Sequence, residues 1–103
     1  MGDIESVLNE HRKYLKELNG VKNVKKVNRH SSDSEMNCGF QVVSNDKNYY
    51  VAVRIRPRDR VSFYKVSVNK KVVYSNKVRC NNVTEFRTFL IACVNTLSMM
   101  GIN

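Results

Sequence analysis

Proline occurs once in these 103 residues, glycine four times and tryptophan not at all. Such scarcity excludes collagen-like, polyproline and low-complexity chains, and no stretch reads as a linker or an internal repeat. Cysteine is sparse as well. Cys38, Cys80 and Cys93 are odd in number and widely spaced, with no Cys-x-x-Cys pair. A disulfide framework or a structural zinc site needs paired spacings, so three reduced thiols are expected, with Cys93 in the core. No metal and no cofactor is expected, because a Walker loop and a dinucleotide fingerprint are also missing.

Long apolar runs are missing too, and the opening Met-Gly-Asp-Ile-Glu places acids where a signal peptide carries bases. The sequence therefore predicts neither leader nor membrane span, but a soluble, cytoplasmic protein. Gly2 and Ser6 match the loose myristoylation pattern, yet Asp3 and an early helix start favour a chance match. Heavy use of Asn and Lys fits AT-rich coding, as in viral, phage or mobile-element genes, a hint that concerns origin alone.

The last scarcity is acid. Nine Asp and Glu stand against eighteen Lys and Arg, a net charge of +9. From Arg54 to Arg79 nine cations face only Asp59, a local +8. Charge on this scale speaks to partners and not to fold, and it points to a polyanion.

What is present reads as one α+β domain over residues 1–103, long enough to bury roughly 60 to 70% of its unfolded surface. Asp3 to Leu18 carries Ile4, Val7, Leu8, His11, Leu15 and Leu18 at helical spacing, with Asp3 as N-cap and Asn19-Gly20 as stop. Val21 to Arg29 has valines every third residue, matching neither period, and is assigned a short edge strand guarded by lysines. His30 to Glu35 is expected to be a loop.

Clean alternation then places Met36, Cys38, Phe40 and Val42 inward on one strand, and Tyr49, Val51, Val53 and Ile55 inward on the next, joined through Asn45-Asp46-Lys47. Pro57 ends that strand. Tyr64, Val66 and Val68 continue inward on a third, with a bulge expected near Ser62 because Val61 and Phe63 break the phase. After a turn at Lys70-Lys71, Val72, Tyr74 and Val78 are assigned inward. A final helix starts on an Asn82/Glu85 capping box and buries Phe86, Phe89, Leu90, Cys93, Val94 and Leu97. Met99, Met100 and Ile102 beyond it either pack on the core or support a homo-oligomer. The predicted architecture is a two-layer sandwich, with both helices on one face of a four- or five-stranded antiparallel meander sheet.

The outward face of that sheet would show Arg54, Arg56, Lys65, Lys77 and Arg79 with Tyr50 and Phe63 among them, and Arg58 and Arg60 continue the basic run. Cations neutralise phosphates and aromatic faces stack on unpaired bases, so the pattern suits single-stranded nucleic acid, RNA ahead of DNA. A solvated basic face that only keeps the protein soluble is the bland competitor. Lys22, Lys25, Lys26 and Arg29 form a secondary basic cluster whose side of the sheet the sequence leaves open.

The order helix, strands, helix resembles the double-stranded RNA-binding domain. That family carries a Lys-rich start to its last helix, where this chain has Asn81-Asn82-Val83-Thr84-Glu85, so none of its site residues is carried over. A second class of function is a small accessory inhibitor that docks on an acidic protein partner, with RNA bridging the two as a variant. Enzymatic readings rank last. His30-Ser31-Ser32-Asp33 holds the residue types of a triad on one short loop, where triad geometry is out of reach. Only a metal-free nuclease using His and Arg is left in that class.

Overall fold

The computed structural model describes residues 2–101 apart from Asp33 and Asp46. Asp46 of the expected turn, Asp33 of the expected loop and Ile102 of the tail lie outside the described residues. Two helices and five strands follow in the order α1 (Gly2–Lys16), β1 (Val21–Ser31), β2 (Met36–Ser44), β3 (Asn48–Arg56), β4 (Val61–Val68), β5 (Lys71–Arg79) and α2 (Val83–Met99). The strands form one antiparallel sheet in the order β1-β2-β3-β4-β5, a meander. Both helices lie on the same face, since His11 of α1 meets Phe40 and Tyr64 of the sheet, and Phe89 of α2 meets the same Tyr64.

Each helix buries the stripe its spacing predicts. Ile4, Val7, Leu8, His11 and Leu15 of α1 are buried, as are Phe86, Phe89, Leu90, Cys93, Val94 and Leu97 of α2. The first helix opens at Gly2, which puts Asp3 inside its first turn and not at its cap, and it closes at Lys16, two residues short of the expected Leu18. Gly20 takes φ of 84°, a left-handed conformation that costs glycine nothing, and turns the chain into β1. At α2 the Asn82 side chain accepts from the Glu85 amide at 2.9 Å. The Glu85 carboxylate in turn accepts from the Asn81 amide, one residue before the cap.

Strands β2 and β3 keep the expected alternation, and Met36, Cys38, Phe40, Val42, Tyr49, Val51, Val53 and Ile55 are all buried. Elsewhere the sheet corrects the sequence reading. Strand β1 runs through Ser31, so His30 and Ser31 are strand and not loop. Its register slips twice, between Val21 and Asn23 and between Lys26 and Asn28, which explains a three-residue valine spacing that fits neither period.

No bulge lies at Ser62. Val61 to Val66 pair with β3 without a break, and Ser62 is an inward residue, 1% exposed. The irregularity falls instead between Val66 and Ser67 opposite β5. It sets Val72 against Ser67, on the face away from the helices, so Val72 is 49% exposed and not inward as expected. Val78 keeps its inward phase opposite Ser62 yet remains 39% exposed on this outermost strand. The turn before β5 is Asn69-Lys70, both with positive φ, one residue earlier than expected.

The helix-side core closes around a buried aromatic group. Tyr64 meets His11, Tyr74 and Phe89 edge to face at 5.2, 6.2 and 6.3 Å between ring centroids. His11 Nε2 and the Tyr64 hydroxyl share a hydrogen bond of 2.8 Å, while Nδ1 has no partner among the described residues. Burial pushes the His11 pKa down to about 3, so the ring is neutral in the folded protein.

Candidate nucleic-acid interface

The opposite face of the sheet is the candidate site. Antiparallel pairing sets side chains on one face into rows that cross the strands, and three adjoining rows lie beside the row of Lys25, Gln41, Tyr50, Ser67 and Val72. One runs Asn28, Gly39, Ala52, Lys65, Ser75. The next runs His30, Asn37, Arg54, Phe63, Lys77. A shorter third row at the β3–β4 end holds Arg56, Val61 and Arg79. Five of the expected cations, Arg54, Arg56, Lys65, Lys77 and Arg79, thus stand in adjoining rows together with Phe63. Adjacent strands lie about 4.8 Å apart, so a row across five strands spans about 20 Å.

Arg58 and Arg60 behave differently. Arginines at 54, 56, 58 and 60 repeat at the strand period, so those in extended backbone share one side, but β3 ends at Arg56 and the chain turns through Pro57 to Arg60. Both arginines are exposed in that turn, where Arg60 takes φ of 54° and its carbonyl accepts from the Cys80 amide at 2.9 Å. They extend the positive end of the sheet without belonging to its face.

The secondary cluster is divided. Lys25 pairs with Gln41 on the outer face, whereas Lys26 and Arg29 pair with the inward residues Phe40 and Cys38. On that side they stitch β1 to α1. Lys26 donates to the Asn9 side chain at 3.1 Å, Arg29 forms an ion pair with Glu5, and Arg12 Nε donates to the Val24 carbonyl at 2.8 Å. Lys22 sits at the first register slip.

The two aromatics are held in distinct ways. Tyr50 leans from β3 across Gly39 on β2, and its hydroxyl accepts a hydrogen bond from Asn28 Nδ2 on β1. A Cβ at Gly39 would come within 2.8 Å of the Tyr50 Cζ, so the absent side chain is what lets this ring lie down on the sheet. Phe63 carries Arg56 and Lys77 beside its ring, at 5.6 and 5.5 Å from the centroid. Such exposed cation–π contacts contribute about 0.5–1 kcal/mol, less than the roughly 1–3 kcal/mol of a base stacked on an aromatic ring, so a base can displace them.

One carboxylate intrudes. Glu35, from the β1–β2 loop, lies 2.9 Å from Arg54 Nε and 3.7 Å from Arg56 Nε. Arg54 Nε also donates to Asn37 Oδ1 at 3.0 Å. Sequence reasoning missed this acid because it enters from outside the basic stretch.

It also missed Asn28, Asn37, Gly39, Ala52 and Ser75. The available signal was Gly39, a glycine between Cys38 and Phe40 inside a regularly alternating strand, which marks a close approach. Comparison with protein-family models, curated proteins and solved structures finds no match to this chain.

Proposed function

We propose that this protein binds single-stranded nucleic acid, RNA ahead of DNA and with little sequence preference, on the sheet face opposite its helices. The observation that carries the reading is the pair of adjoining rows in which Arg54, Lys65 and Lys77 flank Phe63, with Tyr50 laid beside them. Cations there meet phosphates and release counterions, while the rings offer stacking to any base. In this reading the protein works in the cytoplasm, where free thiols such as Cys38, Cys80 and Cys93 stay reduced.

The buried candidate nucleophiles and base favour a binding role over catalysis, which leaves exposed His30, at the β1 end of the Arg54 row, as the histidine on the outer face. His11 is sealed in the core, and burial pushes the Cys93 thiol up to about 11 and raises Cys38 and Cys80, so all three thiols stay protonated near neutral pH.

The test is a fluorescence-anisotropy titration with a short single-stranded RNA over a range of salt. Three or four phosphate contacts give a log–log slope of about −2 to −3, or a 20- to 50-fold loss between 50 and 200 mM salt. Affinity that does not change with salt removes the reading. Glu35→Gln, which takes the carboxylate away from Arg54 and Arg56, is expected to tighten RNA binding about 3- to 8-fold at 50 mM salt in the same assay.

The contact of Glu35 with Arg54 and Arg56 also favours a second reading, because it shows these guanidiniums engaging a carboxylate. In that reading the protein is an accessory inhibitor docked on an acidic partner protein. A pull-down after complete nuclease digestion separates the two: a retained protein partner supports docking, and loss of every partner supports nucleic acid.

A further inference from the structure

The outer face is not flat. Gly39 and Ala52 are directly opposite each other on β2 and β3, so the row they share carries no side chain beyond Cβ at its centre. Tyr50 fills the gap over Gly39 and is fixed there by Asn28. Over Ala52 the gap stays open, as a groove of about 550 Å³ walled by Tyr50 and Phe63 and rimmed by Arg54, Lys65 and Lys77. That volume falls in the range of sites that enclose a small planar ligand.

Two polar groups face the same groove uncommitted. Asn28 uses its Nδ2 on Tyr50, which leaves Oδ1 as an acceptor. Asn37 uses its Oδ1 on Arg54, which leaves Nδ2 as a donor. Neither free end has a partner among the described residues. Apolar floor, aromatic walls, one acceptor and one donor are the complement of a nucleobase, whose faces are apolar and whose edge carries both hydrogen-bonding senses.

We propose that the hollow over Ala52 takes one unstacked base of a bound single strand, set between Tyr50 and Phe63, with its edge toward Asn28 and Asn37 and its phosphates on Arg54, Lys65 and Lys77. This rests on the reading of the outer face as a single-strand interface and adds a base-holding site to it. Gly39 acquires a function on this basis: it seats the Tyr50 wall.

The test compares a ten-nucleotide single-stranded RNA with an abasic sugar–phosphate strand of equal length, against wild type and Ala52→Ile. Isoleucine suits an outward strand position and fills the hollow without changing charge. Wild type is expected to bind the RNA at least about tenfold more tightly than the abasic strand, the contribution of a stacked base. Ala52→Ile should lose that advantage and keep the abasic affinity. Ala52→Val, with a smaller side chain, should fall between them, and both variants should keep the wild-type melting temperature within a few degrees.

An Ala52→Ile protein that binds the RNA as wild type does would overturn the base site. An equal loss on both strands would overturn it too, since the substitution would then be blocking the phosphate path. Failure of wild type to bind either strand at low salt would instead overturn the interface reading beneath it.

Discussion

Acidification from pH 7 to pH 4 is expected to remove about 3 kcal/mol of folding stability through one side chain, His11. The folded-state pKa is about 3, depressed by burial from an ordinary 6.5. Below pH 6.5 the unfolded chain therefore takes up a proton that the folded chain refuses. The stability this group contributes is complete above pH 6.5 and is lost as pH falls toward 3, at about 1.4 kcal/mol per pH unit. The melting temperature should fall by on the order of 10–15 °C between pH 7 and pH 4, measured by circular dichroism.

The stretch from pH 6.5 to 5 is the cleanest part of that window, because ordinary carboxylates titrate lower. The double variant His11→Phe with Tyr64→Phe checks the cause. It removes both ends of the buried hydrogen bond, so no donor is stranded, and the descent between pH 6.5 and 5 should vanish. His11→Phe alone leaves the Tyr64 hydroxyl buried without a partner and should be the less stable of the two. A wild-type melting temperature that stays level from pH 7 to pH 5 would show that His11 is protonated with little penalty.

The second large effect concerns binding. Arg54→Ala, Lys65→Ala and Lys77→Ala together remove the cations that rim the groove. If each meets one phosphate, RNA affinity should fall on the order of 10²- to 10³-fold at 50 mM salt, and the salt slope should flatten by about 2. All three residues are exposed, so stability should change little. The control removes equal charge from the other layer, with Lys13→Ala, Lys16→Ala and Arg87→Ala on the exposed sides of α1 and α2. A general attraction to polyanions would suffer equally from either triple, whereas a site on the sheet suffers mainly from the first.

Both effects arise from features with different visibility in the sequence. The stripes on α1 and α2 and the alternation on β2 and β3 were legible because regular backbone repeats its side-chain directions, and the Asn82 cap marks a start in the chain itself. Bulges erase such repeats. The second slip in β1 turned Arg29 to the helix side with Lys26, and the irregularity at Val66 and Ser67 turned Val72 outward.

Five of the cations expected on the sheet face are there, since they sit where the strands are regular. Arg58 and Arg60 left it when Pro57 ended β3. The contact of Glu35 with Arg54, and the seat that Gly39 provides for Tyr50, depend on which strands become neighbours and in what register. No local pattern names either partner, although a glycine inside β2 marks a close approach there. The His11–Tyr64 pair spans 53 residues of sequence and was invisible for the same reason, although the place of His11 on an apolar stripe announced its burial.

We propose that single-stranded RNA lies on the sheet face opposite the helices. Amide chemical-shift mapping by NMR during titration with a short single-stranded RNA tests it most directly. The amides of Asn37, Ala52, Phe63, Lys65 and Ser75 should move in a saturable way while those of Lys13, Lys16 and Ile91 on the helices stay in place. Shifts confined to the helices or to the Lys26 and Arg29 side of β1, with the sheet face silent, would contradict it.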